Sequence, residues 1–194
     1  NFDSDTRSDI SVYRPSTGVW YALTSGEGGF QVTQFGVSGD KPAPGDYDGD
    51  GKTDNVVFRP STGVWYLKNS TGTFLQVSFG VNGDIPVPGD YDGDAKNDIA
   101  VWRPSNNTWY ILGSAGTYRA VQFGVATDKP AQGDYDADGK TDIAVFRPSN
   151  GIWYMITSRN PTFLTFNFGV NGDLPVQGDY DGDGYVDLFV ALPH

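Results

Sequence analysis

The sequence predicts an all-β repeat protein, and three observations lead to that prediction. The 194 residues include 14% aromatic residues, 26 Gly and 12 Pro, a composition typical of short strands joined by tight turns. No stretch shows sustained helical periodicity. An aspartate-rich segment recurs every 44 or 45 residues, and Trp and Phe-Gly positions recur at the same step. One structural unit of about 44 residues is therefore used four times.

The aspartate-rich segment accounts for most of the acidic charge. It reads DYDGDGKTD at 46–54, DYDGDAKND at 90–98, DYDADGKTD at 134–142 and DYDGDGYVD at 179–187, with a weaker copy, NFDSDTRSD, at 1–9. Asp is present 23 times and Glu once, and the four full copies hold 16 of these 24 acids. A generic acidic surface would use Glu as freely as Asp, so the bias indicates ligation by the short carboxylate. One divalent cation per full copy would change the net charge from −11 to about −3.

Each full copy has the donor pattern of a calcium loop. Carboxylates at positions 1, 3 and 5 can surround a hard cation, and a glycine at position 6 allows the sharp bend. In the copy at 46–54 the predicted ligands are, in order, Asp46, Asp48, Asp50, the Lys52 carbonyl and Asp54. The first nine positions match an EF-hand loop, but position 12 is Val in every full copy and no helix follows. We therefore predict calcium loops outside a helix–loop–helix.

The same positions supply the ligands predicted for the other three full copies. They are Asp90, Asp92, Asp94, Lys96 and Asp98; Asp134, Asp136, Asp138, Lys140 and Asp142; and Asp179, Asp181, Asp183, Tyr185 and Asp187. Asn1, Asp3, Asp5 and Asp9 form a site expected to be weak or empty, because Asn1 stands for a ligand and Thr6 replaces the glycine. Ala95 replaces the same glycine at 90–98, so the copies are expected to be unequal. The prediction is about four Ca²⁺ sites.

Three other interpretations of the loops are weaker. Asp-Gly runs also form solvated turns, but turn chemistry does not require four carboxylates each time. Magnesium keeps several waters and rarely uses all-protein cages. Zinc is disfavoured because no His or Cys lies nearby.

Between the loops, each repeat predicts four short strands. A run such as DIAVFRP at 142–148 is apolar at nearly every position, which is typical of a strand covered on both faces. A second strand contains Trp-Tyr, and a third ends in Phe-Gly-Val. A fourth short segment contains prolines, which suit a strand end or edge, and leads into the next loop. Four-stranded units of this length are typical of β-propeller blades.

These residues resemble the FG-GAP/VCBS repeat family, known from integrin α-subunit propellers and many bacterial extracellular proteins. The resemblance covers essentially the whole chain and rests on the Phe-Gly pairs, the Gly-Asp pairs that open the loops and the D-x-D-x-D-G-x-x-D pattern. It implies a propeller with calcium bound between the first and second strands of a blade, by Asp46, Asp48, Asp50, Asp54 and their counterparts. Two features depart from the family: it usually has about seven blades, and here Phe-Gly is followed by Val-x-Gly-Asp-x-Pro.

The predicted architecture is a propeller-like array of four four-stranded blades in one domain, residues 1–194. Its units are about 1–45, 46–89, 90–133 and 134–178, with a closing strand segment at 179–194. Two arrangements of the ends follow. Either residues 176–180 pair with residues 10–14 in a closed ring, or the surplus last strand pairs with another chain to give a dimer or a fibre.

Two further sets of repeated residues each have two interpretations. Arg14, Arg59, Arg103 and Arg147 form an anion-binding ring or, as we expect, pair with neighbouring aspartates or carbonyls. The Trp-Tyr pairs serve as sugar-stacking platforms or, as we expect, pack blade against blade. The triplet at 69–71 fits the glycosylation pattern, which is a weak signal.

The sequence gives little support to catalysis. The only His is His194, there is no Cys, and a bound cation would keep the paired carboxylates ionised. Net charge −11 without a basic stripe argues against nucleic acid, and no segment resembles a membrane span. We expect a secreted or cell-surface calcium-binding domain that mediates adhesion to a carbohydrate or protein ligand. The alternatives are a structural subunit of a surface fibre or homo-oligomer, and a non-catalytic fragment of a larger enzyme.

Overall fold

Every regular element is a β-strand in the computed structural model, which describes residues 1–3, 5, 7–26 and 29–192. The strands are β1 (Ile10–Arg14), β2 (Val19–Leu23), β3 (Phe30–Gln34), β4 (Lys41–Pro42), β5 (Asn55–Arg59), β6 (Val64–Lys68), β7 (Phe74–Ser78), β8 (Ile85–Pro86), β9 (Ile99–Arg103), β10 (Thr108–Leu112), β11 (Tyr118–Gln122), β12 (Lys129–Pro130), β13 (Ile143–Arg147), β14 (Ile152–Ile156), β15 (Phe163–Asn167), β16 (Leu174–Pro175) and β17 (Val190–Ala191). The all-β prediction is confirmed. Within the described ranges, no helix is long and apolar enough to cross a membrane.

The antiparallel sheets are the blades of a four-bladed β-propeller. Blade 1 contains β1–β2–β3, blade 2 contains β4–β5–β6–β7, blade 3 contains β8–β9–β10–β11, and blade 4 contains β12–β13–β14–β15; β16 pairs with β17. In blades 2 to 4 a two-residue edge strand precedes the aspartate loop and pairs with the strand that follows it. Each of these loops therefore lies between the first and second strands of its blade, as the resemblance implies.

The proline-containing segments are edge strands, as predicted. Pro42 on β4 pairs with Val57, and Pro86 on β8 pairs with Val101. Because each of these strands has a single sheet neighbour, the missing proline amide removes no hydrogen bond from the blade interior.

The core lies between successive blades. Phe58 and Trp65 of blade 2 pack in one cluster with Ile99 and Val101 of blade 3. The strands after the loops are covered on both faces, as the apolar runs predicted; the four residues 143–146 are all buried. Trp65, Trp109 and Trp153 are fully buried at 0% exposure, which confirms the packing role and leaves these indoles unavailable to sugars.

The Phe-Gly pairs of blades 1, 2 and 4 each accept a hydrogen bond from a buried tryptophan. The Trp65 indole N–H donates to the Phe79 carbonyl at 2.9 Å, and Trp20 and Trp153 bond in the same way to the Phe carbonyls of their own blades. The turn between β5 and β6 lies close to this Phe-Gly pair, because a Cβ on the turn residue Gly63 would lie 2.3 Å from the Gly80 carbonyl oxygen. In blade 2 the Phe-Gly pair that follows β7 thus joins β7 to the hairpin of β5 and β6.

A bidentate ion pair crosses each of the loops at 46–54, 90–98 and 134–142, which we call the inner loops. The Nε and Nη2 groups of Arg103 donate to the two carboxylate oxygens of Asp84 at 2.8 and 2.9 Å. Asp84 also accepts the Val81 amide at 2.9 Å, and the Arg103 guanidinium lies 4.4 Å from the Tyr110 ring centroid. The same arrangement joins Arg59 to Asp40 and Arg147 to Asp128. The predicted arginine–aspartate pairing is confirmed for these three repeats.

The two end sheets differ from the inner blades. Among the described residues Arg14 has no carboxylate partner and bonds the Tyr21 hydroxyl at 2.9 Å. The predicted pairing of residues 176–180 with β1 is wrong, because within the described residues β1 pairs with β2 alone and the Val176 amide donates to the Phe189 carbonyl at 2.9 Å. Leu188 and Val190 pack against the buried face of blade 4, and this apolar burial holds the last segment there. Assembly through the terminal strands, and the unit boundaries, stay predictions.

We expect Arg103→Met to lower the free energy of unfolding by about 2–4 kcal/mol, because it leaves the fully buried Asp84 without its cation. The matched substitution Arg14→Met removes an arginine that contacts only a tyrosine, and should cost less than about 1 kcal/mol. Urea denaturation of both variants measures the difference. Equal losses would contradict the structural role of the ion pair.

Candidate metal centre

The predicted carboxylates converge within each loop. In the loop at 46–54 a bridge between Gly45 and Asp54 closes the base, and the neighbouring loops have the same bridge. Five groups of three aspartates each bring three oxygens within 4.8 Å of one another: Asp46, Asp48 and Asp50; Asp90, Asp92 and Asp94; Asp134, Asp136 and Asp142; Asp179, Asp181 and Asp187; and Asp3, Asp5 and Asp9. Positions 1 and 3 belong to the group in all four full loops.

The position-1 aspartate organises the loop backbone. Oδ1 of Asp46 accepts the Gly49 amide at 2.7 Å, and Oδ2 accepts the Gly51 amide at 2.7 Å. Position 6 takes a positive φ, 82° at Gly51 and 66° at Ala95. Only glycine adopts this conformation freely, so Ala95 strains the loop at 90–98. The predicted inequality of the copies as calcium sites stays a prediction.

The position-9 aspartate is buried beneath the loop. Asp98 is 0% exposed, and its carboxylate accepts the amides of Tyr91 and Ser114, both at 2.8 Å. Burial raises the pKa of Asp98 to about 6, against the opposing effect of these two hydrogen bonds. Burial likewise raises the pKa of Asp142 to about 6, and it raises the pKa of Asp54.

A serine from the turn between the third and fourth strands completes the loops at 46–54, 90–98 and 134–142, and this contact was not predicted from the sequence. The hydroxyl of Ser70 donates to Asp50, and that of Ser158 donates to Asp138 at 2.9 Å. The hydrogen bond from Ser70 lowers the pKa of Asp50. The signal was present: Ser25, Ser70, Ser114 and Ser158 each follow the position-9 aspartate by 16 residues. The triplet at 69–71, considered above as a glycosylation pattern, thus contains Ser70, which hydrogen-bonds to the loop.

Three carboxylate oxygens in the inner loops have no partner. Oδ1 of Asp48, of Asp92 and of Asp136 is buried and accepts no hydrogen bond within the described ranges. A buried carboxylate oxygen without a donor is costly, and here it faces other carboxylates of like charge. Since the donors are all oxygens, the residues fit a hard divalent cation, and positions 1, 3, 5 and 9 would hold it.

The remaining predicted ligands are placed but not tested. The Lys52 amide donates to Asp50 at 2.9 Å, and the Tyr185 amide donates to Asp183 at 2.8 Å; the role of the position-7 carbonyls stays a prediction. In the first loop Asp9 accepts the Ser25 amide at 2.7 Å, as in the full copies. Thr6 and His194 lie outside the described residues. The expected weakness of the first site stays a prediction.

A comparison of the sequence with models of known protein families finds the repeat again. The model of the FG-GAP-like repeat matches residues 46–101 and 134–190, more than half of the chain. The chain belongs to the FG-GAP-like repeat family. Both matched segments begin at position 1 of an aspartate loop. No curated protein matches the sequence.

Solved structures share the fold at low sequence identity. A streptogramin B lyase aligns with a TM-score of 0.59 and 13% identity over 98% of this chain and 67% of its own. The virginiamycin B lyase from Staphylococcus aureus aligns with a TM-score of 0.57 and 10% identity over 95% and 67%. A Bacteroides caccae protein of unknown function gives 0.51 and 12% over 82% and 61%. At these identities the likeness shows the propeller fold alone.

In the metal-free protein we expect the melting temperature to rise as the pH is lowered from 7 to 5. Asp98 and Asp142 bind a proton near pH 6 when folded but near 3.8 when unfolded, so the folded state gains protons over this interval. Calorimetry in chelator measures the profile. A double variant, Asp98→Asn with Asp142→Asn, should flatten it. A melting temperature that falls toward pH 5 would contradict the raised pKa values.

Proposed function

We propose that this FG-GAP-like repeat domain binds calcium in its aspartate loops and that the bound ions stabilise the propeller. The observation that carries the proposal is the buried, unpartnered Oδ1 of the position-3 aspartate in three successive loops. A cation supplies the missing partner and removes the repulsion among the carboxylates. Because the site exists only in the folded chain, the binding free energy adds to the folding free energy.

Calcium fits the loops better than other cations. Carboxylates at positions 1, 3, 5 and 9 give an oxygen-rich, all-protein donor set, whereas magnesium retains most of its waters. Among the described residues the loops contain no His or Cys, which zinc would prefer. Millimolar extracellular calcium would keep sites of moderate affinity filled, so we propose a secreted or cell-surface location.

We further propose that the domain acts by binding a carbohydrate or protein ligand, without catalysis. A recurring set of exposed aromatic residues supports this role. Phe30, Phe74, Tyr118 and Phe163 begin the outer strands of blades 1 to 4, and each is more than half exposed. The members in blades 2 to 4 also pack edge-on against the phenylalanine of the Phe-Gly pair in the preceding blade. The ring centroids of Phe74 and Phe35, for example, lie 6.1 Å apart. Exposed aromatic surface of this kind is typical of binding sites.

Removal of calcium should lower the melting temperature of the wild-type domain by about 5 °C or more. The effect of Asp92→Asn on the melting temperature should depend on the metal. In chelator the substitution removes a repelling charge and does not destabilise the domain, whereas in calcium it removes a ligand and lowers the melting temperature. Differential scanning calorimetry measures both. The control Asp84→Asn lies outside the loops and should destabilise equally in both buffers. A calcium-independent wild-type melt would refute the proposal.

Substitution of the exposed aromatic residues should weaken ligand binding without unfolding the domain. We expect the wild-type domain in calcium to bind members of a glycan array, and Phe74→Ala with Tyr118→Ala to reduce that binding about tenfold or more. Ser78→Ala on the same strand as Phe74 is the matched control. Array binding that survives the aromatic substitutions would place the ligand elsewhere, and no array binding would argue against a carbohydrate ligand.

A further inference from the structure

Neighbouring aspartate loops are joined through the position-1 aspartate. In the loops at 90–98, 134–142 and 179–187, the backbone amide at position 8 donates to the position-1 carbonyl of the loop before it. The bonds are Asn97 to Asp46 at 2.6 Å, Thr141 to Asp90 at 2.5 Å and Val186 to Asp134 at 2.8 Å. The carboxylates of these same aspartates belong to the acidic clusters. One residue therefore takes part both in its own candidate site and in the junction with the next loop.

The junction between neighbouring loops is tightly packed. A Cβ on Gly45, just before the position-1 aspartate, would lie 2.5 Å from the Asn97 side chain, and one on Gly89 would lie 2.5 Å from Thr141. The Lys96 side chain covers Gly49 of the preceding loop, where a Cβ would meet it at 2.9 Å. Close-packed contacts of this kind transmit a displacement from one element to the next.

The junction between the loops at 46–54 and 90–98 has one bond that the next two do not show. Oδ1 of Asn97 accepts the Asp46 amide at 3.0 Å, so Asn97 binds both the N–H and the C=O of that residue. Thr141 and Val186 occupy the same place in the following loops and contribute only their backbone amides. Asn97 is therefore the side chain best placed to hold the two loops in register.

We propose that calcium binding is coupled between adjacent loops: an occupied loop fixes the backbone of its position-1 aspartate and so raises the calcium affinity of its neighbour. The inference rests on the proposed calcium function and names its regulation. Contacts between repeats make the coupling a nearest-neighbour effect, strongest across one junction. The sign is informative, because repulsion between nearby cations alone would make occupied neighbours bind more weakly.

The test is a calcium titration of wild-type protein and Asp92→Asn, followed by the position-6 amide signals in NMR. These amides bond the position-1 carboxylates, so Gly51, Gly139 and Gly184 each report on one loop. Disabling the loop at 90–98 should raise the calcium midpoint about fivefold at Gly51 and Gly139, its two neighbours, and less at Gly184.

The outcomes separate this inference from the function on which it rests. Unchanged or lowered midpoints at Gly51 and Gly139, in a protein that still binds calcium, would overturn the coupling alone. If no loop of the wild-type protein responds to calcium, the calcium function itself fails.

A second set of variants tests Asn97. In an Asn97→Val background, which copies Val186, Asp92→Asn should shift the midpoint at Gly51 less than it does when Asn97 is present, because only the backbone bond between the two loops remains, whereas the shift at Gly139 should be unchanged. Thr141→Val is the matched control and should preserve both shifts, since Thr141 bonds to the preceding loop through its backbone amide, which the substitution keeps. Asn97→Thr, which copies position 141, replaces Asn97→Val if the latter fails to fold. Equal behaviour of the Asn97 and Thr141 variants would refute the role of Asn97.

Discussion

The structure depends on the burial of one aspartate at the end of each inner loop. Asp54, Asp98 and Asp142 are almost completely withdrawn from solvent, and each carboxylate accepts one amide from its loop and one from the turn after the third strand. These bonds fix the loop against its blade and offset part of the cost of burying the carboxylate. The other loop carboxylates are consequently held close together, although like charges repel. The blade geometry thus produces the acidic cluster that we propose to bind calcium.

The chain uses buried aspartate in two electrostatically opposite ways. Asp40, Asp84 and Asp128 are buried beside an arginine that neutralises them within the protein. Within the part of the chain that the structure describes, the loop aspartates form no such ion pair with an arginine, and three of their buried oxygens accept no hydrogen bond. The first set is neutralised within the protein, whereas the second would be neutralised by the calcium that we propose to bind there. The arginine–aspartate contacts are therefore independent of the solution, whereas on our proposal the contacts within the loops depend on its calcium concentration.

Most of the fold was predictable because the sequence repeats. The constant spacing of Trp, Phe-Gly and the aspartate loops defined four-stranded units, and the apolar runs after the loops identified the strands covered on both faces. The converging carboxylates were also predictable, because positions 1, 3, 5 and 9 are local in sequence. The supporting serine was missed since a hydroxyl 16 residues away has no recognised motif, although its spacing is constant. The pairing of the last segment was predicted wrongly, because burial of Leu188 and Val190 against blade 4 is a tertiary effect.

The arginine–aspartate pair has a consequence for how such arrays are lengthened by gene duplication. The aspartate lies before a loop and the arginine after it, so a copied segment that starts at the loop separates the two partners. Each new copy then brings the arginine for the copy before it and an aspartate for the copy after it. Successive copies are therefore complementary at their boundaries from the moment of duplication, and the array lengthens without the evolution of a new ion pair between copies.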